Sequence, residues 1–272
     1  MFNRSKAQRE EPTASVPAVV NETAVAPVGL ADQFEADAGD AADHTSDELA
    51  IPFLVILQKG SPQVDEGSSD RIDGAKPGMI YNTVTGELRD QLEVIPCAKQ
   101  RVFVEWIPRD DGGGSVGQYA PGSPEVLSAV PGKSARAMKI GENDLIETVY
   151  QFVLDLTEDG TNCALIGMSS TQLKAARQWG TMIEGARMTG RNGVAFKPPR
   201  YAYRYGLTTV LRSKDKWTWY TWQVERLGLV EDGAQYAAAK AYSASVQSGA
   251  LQASTPPEDP GSSTKDDDST PF

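Results

Sequence analysis

The sequence predicts a mainly β protein with one or two helices, an OB-fold-like Greek-key barrel flanked by disordered acidic tails. Three observations lead there. Short apolar segments separated by Gly, Asp and Asn turns recur through the middle of the chain. A single helical pattern is inserted before the last pair of strands, as in small Greek-key barrels. Finally, the charge is unevenly distributed: of the net −11, residues 1–49 carry three basic and ten acidic residues, and residues 255–272 carry one basic and five acidic. Those tails account for −7 and −4, which leaves residues 50–254 electrically balanced.

Residues 1–49 are rich in Ala, Pro, Val, Glu and Asp, and bury too little surface to offset the entropy of ordering. Residues 253–272 are dominated by Pro, Ser, Thr and Asp and are read the same way. Between them lies a core over 50–252. Ile51–Gln58 is an apolar helix turn or buried edge. Gly78–Val84 and Glu87–Leu88 flank a Thr85-Gly86 turn and suit a hairpin. Leu92–Pro96 and Arg101–Ile107 follow as strands. In the second, Val102, Val104 and Trp106 alternate with Arg101, Phe103 and Glu105. Asp110–Gly114 is a loop, and Ser115–Asn143 reads as irregular. Glu147–Leu156 is a strand that turns at Asp159-Gly160 into Cys163–Gly167.

Ser169 or Ser170 caps a helix over 171–188, with Leu173, Ala176, Trp179 or Gly180, and Ile183 at helical spacing. Arg200–Arg212 and Lys216–Leu227 form two strands joined by Ser213-Lys214-Asp215. An Ala-rich helix over 232–247 closes the core. A generic α+β sheet is the alternative architecture. No internal repeat is visible.

Composition excludes several function classes. The single histidine, His44, lies in the acidic N-terminal segment, so the core has no histidine for a triad, a metal site or a general base. Cys97 and Cys163 have no CxxC or zinc spacing and read as reduced thiols. No apolar run of about 18 residues is present, and Met1–Gln8 does not lead into a signal-peptide core. The expected location is the cytoplasm. Gly132-Lys133-Ser134 and Gly112–Gly117 lack the spacing and strand–helix context of phosphate or dinucleotide loops. No cofactor is expected.

The densest signal is Phe196–Trp222, which holds eight aromatic residues and six cations against one acid, Asp215. Tyr201, Tyr203 and Tyr205 have strand spacing and are expected on one face. Trp217 and Trp219 share a face of the next strand, and Tyr220 and Trp222 share its other face. Arg200, Arg204, Arg212, Lys214 and Lys216 interleave with them. Rings for exposed bases and cations for phosphates are what single-stranded nucleic acid requires. The alternative is a barrel core with a solvated basic face. Lys174 and Arg177, one helical turn apart, form a second basic group with Arg187 and Arg191. Arg101 and Trp106, with Lys99 and Phe103, form a third. Asp110 and Asp111 are the only candidate metal ligands, and they support at most a nuclease reading.

The chain's last stretch, Asp266-Asp267-Asp268-Ser269-Thr270-Pro271-Phe272, offers an acidic run for a Lys/Arg rim and an aromatic ring for an apolar pocket. It resembles the acidic tip of bacterial single-stranded DNA-binding proteins at Asp266, Asp267, Asp268, Pro271 and Phe272, and departs from it at Ser269-Thr270. Ile51–Gly114 is similar to single-stranded DNA-binding proteins of bacteriophages, notably at Pro77–Glu87 and Val104–Arg109. The resemblance implies an OB-fold, binding of single-stranded DNA in replication or recombination, and no catalytic residues. The partners it implies are single-stranded DNA and replication or recombination proteins recruited by the tip, with homo-oligomers left open. A strand-annealing recombination factor is the runner-up.

Overall fold

The computed structural model describes residues 51–108, 111–132, 138–157 and 160–253. The N-terminal tail, the C-terminal tail beyond Ala253, His44, Asp110, Lys133, Ser134 and Asp159 lie outside these residues. In chain order come β1 (Leu54–Ile56), β2 (Ile80–Asn82), β3 (Leu88–Arg89), β4 (Gln91–Trp106) and β5 (Ser115–Tyr119). Then follow α1 (Pro124–Ser128), β6 (Val130–Pro131), β7 (Met138–Ile140), β8 (Asn143–Thr157) and β9 (Gly160–Ser169). The last third holds α2 (Leu173–Glu184), β10 (Met188–Thr189), β11 (Ala195–Phe196), β12 (Tyr203–Lys214), β13 (Trp217–Leu229) and α3 (Gly233–Gln247). The mainly β class holds, with three helices among the described residues where the sequence suggests one or two.

The long central strands β4 and β8 pair antiparallel from Glu93↔Leu156 to Trp106↔Asp144. β9 flanks β8, β12 flanks the first part of β4, and β13 flanks β12. Across the curled antiparallel sheet the order is therefore β13-β12-β4-β8-β9, and α2 connects β9 to β12. Among the described residues β9 and β13 do not pair. The β1 segment bridges the space between them. Leu165 N–H donates to Pro52 O at 2.9 Å. On the other side the Gln58 amide donates to Tyr220 O at 2.9 Å and accepts from Tyr220 N–H at 2.8 Å. The expected hairpin before β4 forms as β2 and β3, where Asn82 Oδ1 accepts from the backbone N–H of Val84 and Thr85.

Both faces of the sheet are covered. On one face Val94, Val153, Ile166, Tyr205, Leu207 and Trp222 pack against Leu173, Ala176, Trp179 and Ile183 of α2. On the other, Ile95, Val102, Val104, Phe152 and Leu154 pack against Ala239 and Tyr242 of α3. Double coverage explains why alternation fails along β4: Val102, Phe103, Val104 and Glu105 are all buried. The buried Glu105 carboxylate accepts from Tyr119 Oη and Asn143 Nδ2, each at 2.6 Å. Buried Asp155 is paired with Arg89, so neither interior charge is left without a partner.

Several boundaries differ from expectation for identifiable reasons. The two strands predicted at 92–96 and 101–107 are one strand with a bulge, because the register steps from Pro96↔Val153 to Ala98↔Phe152 and leaves Cys97 over. Pro96 has no N–H to give the ladder, and a bulge accommodates that. The stretch read as irregular contains β5, α1, β6 and β7, short elements held by β4 and β8. The serines expected to cap α2 do not. Residues Ser170–Gln172 form a 3-10 turn without a side-chain cap, and the helix ends four residues early at Gly185. Asp232 does cap α3, accepting from Ala234 N–H at 2.7 Å. The folded core reaches one residue past its predicted end, since buried Ala253 accepts from Gln118 Nε2 at 2.6 Å. Gly78 could be no other residue without rearrangement: its φ is +96° and an added Cβ would lie 2.5 Å from the Tyr220 ring.

Candidate nucleic-acid interface

The β12–β13 hairpin aligns Arg212 opposite Trp219 and Lys214 opposite Trp217. Directly opposed residues in an antiparallel pair project on the same side. One side of the hairpin tip therefore carries two indoles and two cations. The alternate set, Tyr220 and Trp222, turns to the core side, where Tyr220 lies against Gly78 and Trp222 is 3% exposed. The turn is two residues long, with Asp215 at φ +52°, and Lys216 sits 5.2 Å over the Trp217 ring.

Where β13 meets α2 the surface forms a groove of about 980 Å³. Lys214, Trp219 and Val224 of the hairpin strands line it together with Lys174, Arg177 and Thr181 of α2 and with Ser170 and Thr171. Lys174, Arg177 and Lys214 are exposed, whereas Trp219 is half-buried. The local reason is the helix period: Leu173, Ala176, Trp179 and Ile183 face the core, so Lys174, Arg177 and Thr181 face out. α2 has no acidic residue in its first turn and no side-chain cap, and it continues directly from the 3-10 turn Ser170–Gln172, where Leu173 N–H donates to Ser170 O. Ser170, at φ +46°, holds a backbone conformation that is strained for a residue with a side chain.

Four of the sequence-predicted residues, Lys174, Arg177, Lys214 and Trp219, thus meet in one groove, with Arg212 and Trp217 on the adjoining hairpin. The others do not join them. Tyr201, Tyr203 and Tyr205 do not form one row of rings. Tyr201 belongs to a 3-10 turn before β12 and packs edge-on against Tyr236 of α3, with centroids 5.3 Å apart. Tyr203 is half-buried, with the Arg226 guanidinium 4.6 Å over its ring. Tyr205 is fully buried against Trp179, its phenol pKa raised by that burial. Trp222 and Tyr205 are core residues, and no base can reach rings enclosed on both faces.

Arg204 is engaged with Glu93 and with Leu229 O. Arg200 donates to Gln151 Oε1 at 3.0 Å and lines a separate groove with Lys99 and Tyr201 beside α3, where burial lowers its pKa. Arg101 pairs with Glu147 over the Phe103 ring, and Trp106 is half-buried at the far end of β4 from the hairpin. Asp111 is exposed, and no group of three or more His, Cys, Asp or Glu gathers among the described residues. The tip residues Asp266, Asp267, Asp268, Pro271 and Phe272 lie outside the described residues.

Sequence reasoning did not single out Arg226, which caps the Tyr203 ring and donates to Met182 O at the end of α2. It also passed over Thr181, and read Ser170 and Thr171 only as the start of the helix. The helical spacing of Thr181 from Lys174 and Arg177 is the signal that would have found it.

A family model described as Pam3 phage gp34-like protein matches residues 20–252. No curated protein and no solved structure matches the chain.

Proposed function

The chain belongs to the Pam3 phage gp34-like protein family, and from that phage setting we propose that it is a non-enzymatic single-stranded DNA-binding protein serving replication or recombination. The observation that carries this reading is the groove between β13 and α2. It is lined by one half-buried indole, Trp219, together with the cations Lys174, Arg177 and Lys214. Stacking on an aromatic ring contributes about 1–3 kcal/mol per base and needs no sequence match, and the cations supply the phosphate term. The strand order supports an OB-type reading of the sheet: three meandering strands, a helix, then a final hairpin whose first strand returns beside the first of the three. Oligo-dT is expected to quench the tryptophan fluorescence, with Trp219→Ala removing a large part of the signal and weakening binding about 10-fold. Absence of quenching and of any mobility shift at low salt would exclude the reading.

The acidic segment Asp266–Phe272 fits as a competitor for this groove and as a hook for replication or recombination proteins. It carries the charge that the groove attracts. Its removal is expected to tighten oligo-dT binding severalfold at low salt, an effect that fades as salt screens it. Equal affinities of full-length and shortened protein at low salt would leave the segment without that competing role.

A further inference from the structure

Beyond α2 the chain makes a small two-stranded hairpin of its own, β10 paired with β11 through Met188↔Phe196 and Thr189↔Ala195. Its turn is closed by Gly190 N–H donating to Val194 O at 2.9 Å and Gly193 N–H donating to Gly190 O at 2.9 Å. Two features of it are unusual. Among the described aromatic residues only Phe196 and Tyr236 are exposed, and Tyr236 lies against Tyr201. Phe196 is 45% exposed, with Val194 beside it at 61%. Moreover, residues 185–214 contain seven cations and no Asp or Glu. Arg187, Arg191 and Lys197 of this stretch are exposed around the hairpin.

The hairpin is anchored where the groove ends. The groove follows α2 as far as Met182. Two residues on, Glu184 pairs with Lys197 at the end of β11, and Arg187 donates to Glu184 O at 2.8 Å. The Glu184 carboxylate is thereby engaged with a cation of the hairpin. An exposed ring among exposed cations, with the neighbouring Glu184 carboxylate already paired to Lys197, favours an anionic partner with flat apolar faces.

We propose that this hairpin is a second base-stacking element that continues the groove, with Phe196 as its platform and Arg187 and Arg191 as phosphate contacts. It rests on the reading of the groove as a single-stranded DNA site. A strand long enough to pass from Trp219 along α2 engages both rings, whereas a short one is held by the groove alone.

The test compares the full-length protein with Phe196→Ala and Trp219→Ala on oligo-dT of about 4 and about 16 nucleotides, the span of sites used by single OB folds. Phe196→Ala is expected to weaken the longer oligonucleotide about 5- to 10-fold and leave the shorter unchanged. Ultraviolet crosslinking of the longer one should label a peptide containing Phe196, and Phe196→Tyr should restore affinity. Phe196→Ala binding the longer oligonucleotide like the unaltered protein, with Trp219→Ala impaired and no crosslink at the hairpin, overturns the inference and leaves the groove standing. Failure of the unaltered protein to bind either length overturns both.

Discussion

Reversing charge at Lys174 and Arg177 together, Lys174→Glu with Arg177→Glu, is expected to lower affinity for single-stranded DNA by about 100-fold or more at low salt. Each lost charge-assisted contact to phosphate accounts for about 1.5–3 kcal/mol, and the introduced carboxylates add repulsion. Both side chains are exposed on the outer face of α2, so melting behaviour should change little. The neutral pair Lys174→Ala with Arg177→Ala separates contact from repulsion. Because single-stranded DNA contributes a slope of about 0.7 in log K against log salt per phosphate contact, losing two contacts should flatten the slope by about 1.4. Salt-titrated binding of single-stranded DNA, duplex DNA and RNA measures this directly. An unchanged slope would mean that α2 does not touch phosphate.

Trp179→Ala should be the most damaging single truncation of the core. Trp179 is fully buried between α2 and the sheet, its ring centroid 5.7 Å from that of Tyr205. Removing such a side chain costs about 3–5 kcal/mol, a large share of the 5–15 kcal/mol typical of a whole domain. For a domain of this size each kcal/mol is worth about 2–4 °C, so Tm should fall by about 6–20 °C. The loss should extend to DNA binding, since Trp179 seats the helix that carries Lys174 and Arg177. Trp179→Phe should retain most of the stability, because the indole N–H has no hydrogen-bond partner among the described residues and little is lost with it. A Tm within about 2 °C of the unaltered protein for Trp179→Ala would show that α2 is not locked to the sheet in this way.

How much of the site was legible follows from which distances in sequence each contact spans. Trp217, Trp219, Arg212 and Lys214 were readable because a tight hairpin keeps opposed residues within a few positions, and alternation assigns their sides. Lys174 and Arg177 were readable as an outward helix face for the same local reason. That they share a groove with Trp219, more than 40 residues away, was not. Tyr205 and Trp222 looked like equally good platforms by composition, yet α2 and β1 cover their side of the sheet. Arg200 and Arg204 counted as free cations until Gln151 and Glu93, both distant in sequence, proved to hold them.

By itself the sequence determined what depends on near neighbours: the hairpins, the polarity of α2, the Asp232 cap of α3, and the separation of two acidic segments from a neutral core. Tertiary structure decided what depends on coverage. Burial of both faces of β4 and β8 overrode alternation, the bulge at Cys97 merged two predicted strands, and the β1 segment filled the space between β9 and β13. Periodicity states which residues share a side, but only packing between distant segments states which side meets water. That choice left Trp219 at a basic groove and Phe196 exposed on its own hairpin, while Tyr205 and Trp222, equally aromatic, became core.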